Sequence, residues 1–93
     1  MISEFFFQIA ELKKLEKFIE SNSICMKLLN IYPENADVLY DIASNFLKLN
    51  DIEQFLKFLQ KAVNVMPTLK NKSKNNKEFE KFFTNEIFVD ITS

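Results

Sequence analysis

Apolar residues recur along this chain at helical spacing, in stretches separated by short polar breaks. Over 36–49, Leu39, Ile42, Ala43, Phe46 and Leu49 fall three or four residues apart with polar residues between them, which predicts a helix with one buried face. Asn35 is placed to cap its start, because the side-chain oxygen can accept an orphan backbone N–H. Asn50-Asp51 interrupts the pattern. Asn tolerates the left-handed conformation that ends a helix, and Asp51 with Gln54 three residues on resembles a capping box. The next helix carries Ile52, Phe55, Leu56, Leu59, Ala62 and Val63 on a wide apolar face, and Pro67 ends it.

The N-terminal third repeats this layout more loosely. Phe5, Ile9, Leu12 and Leu15 form one face, Ile24, Cys25, Leu28, Leu29 and Ile31 mark a second helix, and Pro33 ends that helix. Residues 68–77 are polar, basic and aperiodic, and read as a loop. Helical pattern returns near Glu78 with Phe79, Phe82, Phe83, Ile87 and Phe88, and Thr84 or Asn85 can cap a short final turn. The expected organisation is one domain over 1–93: a first pair of helices about 2–33, a second about 36–67, a polar loop 68–77 and a capping helix about 78–91.

Composition narrows the function classes. The chain has no Gly, so phosphate-cradling loops and dinucleotide fingerprints have nothing to be built from. It has no His, which removes the imidazole base and the commonest metal ligand. A net charge of −1 gives no broad attraction to nucleic acid or anionic membrane. One cysteine forms no internal disulfide, and no apolar run approaches spanning length, so a reducing, cytoplasmic setting is expected.

A period organises the pattern. Leu28-Leu29-Asn30-Ile31-Tyr32-Pro33 recurs as Ala62-Val63-Asn64-Val65-Met66-Pro67, 34 residues later. The second unit reads Leu39-x2-Ile42-Ala43-x2-Phe46, then Phe55-x3-Leu59, then Ala62 and Pro67. In length and pattern this resembles the tetratricopeptide repeat, with apolar residues where two helices interlock and small ones where backbones approach. The first unit reads Phe5-x2-Gln8-Ile9-x2-Leu12, then Ser21-x3-Cys25, Leu28 and Pro33. Ile9 stands where a small residue is expected and Gln8 where an apolar one is, which leaves the register of the first helix open. Phe55 also replaces a small residue, and is expected to fill space left by the first unit. The resemblance covers about 3–67 and implies an all-α fold: antiparallel helix-turn-helix repeats stacked as a right-handed superhelix, with the tail as a capping helix.

The resemblance also implies a concave face lined by the first helix of each pair. Its residues would be Phe6, Phe7, Ala10, Lys13 and Lys14 from the first, and Asp37, Tyr40, Asp41, Ser44, Leu47 and Lys48 from the second. Covering Phe6, Phe7 and Tyr40 would be worth roughly 1.5–3 kcal/mol each, so a peptide or partner protein is expected there. The family's carboxylate clamp is not expected, because Asp37 and Asp41 would repel a C-terminal carboxylate. The alternatives are a homo-oligomer that buries the same aromatic face, or a nucleic-acid adaptor using Lys70, Lys72 and Lys74. No catalytic pair, cofactor, metal site or membrane contact is expected. Cys25 lies on an inward face, and Asp37 with Asp41, one turn apart, lack supporting oxygen ligands.

Overall fold

The computed structural model describes residues 2–93, with side chains over 4–93. The chain is all-helical, and no strand occurs among the described residues. Four helices, α1 (Ile2–Lys14), α2 (Phe18–Ile31), α3 (Ala36–Lys48) and α4 (Ile52–Val65), pack each on the next. The long axis of the molecule, 37 Å, exceeds the roughly 21 Å of a 14-residue helix, so the helices lie side by side along it.

The boundaries repeat as the apolar pattern does. Both ends of α1 recur 34 residues later as the ends of α3, and both ends of α2 recur at that distance as the ends of α4. The turns repeat atom for atom as well. Glu16 and Asn50 both take positive φ, 59° and 61°. The Lys17 N–H donates to the Leu12 carbonyl and the Asp51 N–H to the Phe46 carbonyl. One residue earlier, Glu16 N–H reaches the Lys13 carbonyl and Asn50 N–H the Leu47 carbonyl. These are the paired bonds of a Schellman helix end, which satisfy carbonyls that the helix leaves free. At the far ends, Tyr32 and Met66 both leave the helical region, with ψ of 77° and 90°, as the following prolines favour.

Side-chain caps hold the starts of α3 and α4, whereas Lys17, at the start of α2, makes no such bond. The Asn35 side chain accepts from the Val38 N–H at 3.2 Å, and that of Asp51 from the Gln54 N–H at 3.2 Å. The first helix therefore keeps the common register, and the misfit residues are absorbed by packing. Ile9 and Ser21 are both buried where the second pair has Ala43 and Phe55, so the large and small side chains exchange places.

Three expectations are corrected. Residues 68–77 are not all loop: Leu69–Lys74 forms a short helix, α5, anchored by buried Leu69 and Ser73 one turn apart. The Lys- and Asn-rich residues around these two hid a pattern too short to read. The tail is not one helix over 78–91 either. Lys77–Phe82 is a 3-10 segment, and after a break at residues 83–85 helix α6 runs Glu86–Thr92. Phe79 and Phe88 lie nine residues apart and would face opposite ways on a continuous α-helix, yet both are buried. The break turns both inward, and Asn85 stabilises it by accepting from the Ile87 and Phe88 N–H groups at 3.0 and 3.1 Å.

The third correction concerns Phe55. Its ring packs on Phe79 and Phe82 at centroid distances of 5.0 and 5.1 Å, and so meets the tail rather than the first pair of helices. Phe79 also touches Tyr40 at 5.7 Å and Phe88 at 6.2 Å. This aromatic cluster seals the end of the stack beyond α4.

Candidate functional site

The structure divides the eleven expected groove residues into an open part on α1 and a closed part on α3. On the open part, Phe6, Ile9, Ala10 and Lys13 join Asp41 of α3 around a depression of ≈ 460 Å³. Phe6 is half-buried, whereas Phe7, on the same helix but not part of the lining, is 68% exposed. Lys13 Nζ meets Asp41 Oδ1 at 3.0 Å, with about a third of each side chain accessible. The pair ties α1 to α3 and neutralises the floor between them, so the depression suits an apolar side chain better than a charged one. Lys14 and Asp37 are exposed and do not line it.

The closed part departs from the expectation. Tyr40, Ser44 and Leu47 are buried, and the chain's own residues 72–79 lie over Tyr40 and Ser44. Phe79 packs on the Tyr40 ring, Asn76 Nδ2 donates to the Tyr40 hydroxyl at 3.0 Å, and Lys72 Nζ sits 4.7 Å from the ring centroid. Glu78 accepts a long 3.5 Å hydrogen bond from Ser44 Oγ and lies 3.7 Å from Lys48 Nζ. Tyr40 is therefore unavailable as an open aromatic contact. Lys72, one of the three lysines offered to a nucleic acid, is exposed and rests its ammonium over that ring. The 3-10 segment could have been anticipated only from Asn76, whose side chain accepts from the Glu78 N–H at 2.9 Å.

Behind the open part lies a buried polar cluster. Asn45 Nδ2 donates to Ser21 Oγ at 3.0 Å and to Asn22 Oδ1 at 2.9 Å, linking α3 to α2. Cys25, fully buried, has its thiol pushed up from 9.0 to about 12. Burial is the main cause, with the Asp41 carboxylate adding to it against the opposing pull of Lys13 and a Ser21 hydrogen bond. A thiol so placed stays protonated and out of reach, which gives it no nucleophilic use at neutral pH. Asp41 is held by Lys13, and no group of three acidic, Cys or His side chains that could hold a metal occurs among the described residues. No helix there is long and apolar enough to cross a membrane.

Comparison with known proteins places no relative beside these features: no protein-family model, curated protein or solved structure matches the chain.

Proposed function

We propose that this chain is a protein-interaction module of the tetratricopeptide-repeat type, taking an apolar segment of a partner protein on the open, α1 side of its concave face. The 34-residue recurrence of helix boundaries, turns and post-helix prolines supports the repeat reading, with two helical hairpins stacked as a short superhelix and the tail as its cap. The observation that carries the binding reading is Phe7. A phenyl ring 68% exposed on the helix that lines the depression favours cover by another surface, and the Lys13–Asp41 pair adds no net charge to repel it. Binding is preferred to catalysis because the sequence has no His and its one thiol is buried and held protonated.

The test is selection of peptides from a random display library, followed by titration of the enriched ones into labelled protein. Resonance shifts at Phe6, Phe7, Ala10 and Lys13, with affinity lowered at least about tenfold by Phe7→Ser, support the reading. Peptides that bind equally well to Phe7→Ser, or that shift only other surfaces, reject it. If the isolated chain already protects Phe7 by self-pairing, this face serves a homodimer and the partner reading fails.

A further inference from the structure

Helices α2 and α4 hold equivalent places in the two hairpins, so α4 shows what a solvated outer face looks like in this protein. Its exposed stripe is Glu53, Lys57, Gln60 and Asn64. The equivalent stripe on α2 is Ile19, Ser23, Met26 and Asn30, also exposed, with Ile19 at 68% and Met26 at 37%. The spacing of four, three and four residues keeps these side chains on one face. Not one of them is charged. Loss of charge with gain of Ile and Met is the compositional mark of an interface centre.

The residues flanking the stripe indicate what covers it. Glu20 and Lys27 lie two turns apart along one side, both exposed and neither in a salt bridge or side-chain hydrogen bond among the described residues. If two α2 helices cross antiparallel with Ser23 near the centre, Glu20 of each faces Lys27 of the other, and the match occurs twice. The same crossing seats Ile19 between the partner's Met26 and Asn30, and the small Ser23 lets the axes approach. A two-fold contact requires a surface complementary to itself, and this arrangement of charge and apolar residues is.

We propose that the outer face of α2 is a homodimer interface, formed by antiparallel crossing of two copies of this chain. The face is distinct from the depression on α1 and leaves it open. One helix face from each copy is a small contact, below about 1,200 Å² in total, so the dimer is weak and forms from about tens of micromolar upward.

The experiment is sedimentation velocity on the full chain from about 10 µM to 1 mM at low salt. A reversible monomer–dimer equilibrium is expected for the wild type. Glu20→Lys and Lys27→Glu singly place like charges opposite one another twice, and each should weaken the dimer about tenfold. The double exchange restores both matches and should recover wild-type association. Ile19→Glu with Met26→Gln, which copies the α4 face, should leave a monomer whose melting curve shows it still folded. Phe7→Ser should change nothing. A wild type that stays monomeric at about 1 mM overturns the proposal. So does a dimer that ignores the charge variants, one that the double exchange fails to restore, or one that Phe7→Ser abolishes. The last result would move the contact to the α1 face.

Discussion

The two hairpins share every boundary and turn, yet they are filled differently. The first buries large Ile9 on its first helix and Ser21, Asn22 and Cys25 on its second, whereas the second buries small Ala43 on its first helix and Phe55 and Leu59 on its second. The common features are the helix stops, and the differing ones are the side chains between them. Period is therefore written in left-handed residues, backbone turn bonds and prolines, while volume is settled locally between neighbours. The second hairpin gains an aromatic contact with the tail, and the first gains a buried hydrogen-bonded cluster in its place.

The strongest way to break this comparison is to truncate the same position in each hairpin. Phe55→Ala should cost about 3–5 kcal/mol, since it empties a fully buried site between Phe79 and Phe82. Ser21→Ala should cost about 1 kcal/mol, the worth of one hydrogen bond from Asn45. Urea unfolding of both variants gives the ratio, and equal losses would refute the division of roles. Asn45→Ala should fall between them at about 2 kcal/mol, because it removes the donor to both Ser21 and Asn22 inside the core.

A smaller effect separates the turns. Glu16 holds φ 59° with a side chain poorly suited to it, whereas Asn50 at φ 61° tolerates the conformation. Glu16→Gly should raise stability by about 0.5–1 kcal/mol, and Asn50→Gly should be nearly neutral, by thermal melts run side by side. The last test uses pH. Because the folded Cys25 thiol has its pKa raised from 9.0 to about 12, the folded state holds the proton more tightly than the unfolded one. That contribution is complete below about pH 9 and is lost as pH rises toward 12. Cys25→Ala should flatten the fall in stability between those limits, measured by urea midpoints at several alkaline pH values. Iodoacetamide should label the native thiol far more slowly than the denatured one.

Much of the first four helices was legible, because Asn35, Asp51, Pro33 and Pro67 act within a few residues of themselves. The tail was less so. Leu69 and Ser73 are too close together to reveal a period, and the break before Glu86 answers a need of Phe79 and Phe88 to face one core, which is a tertiary demand. The surroundings of the expected groove residues were half legible. Phe7, Ala10 and Lys14 on α1 are exposed, but the burial of Tyr40 involves Phe79 and Asn76, which lie 36 or more residues away in sequence. No local pattern announces a contact of that span.

The succession of packed helices also bears on how the chain reaches its native state. Each of α1 to α4 rests mainly on the helix before or after it, so little chain must be closed before a contact is rewarded. Such topologies fold in microseconds to milliseconds. The same arrangement makes opening directional. Helix α1 is held by α2 and the Lys13–Asp41 pair, whereas α3 and α4 are enclosed on both sides. Amide protons of α1 should exchange with solvent before the rest of the molecule opens, so the surface that carries Phe7 lies on the element most easily released.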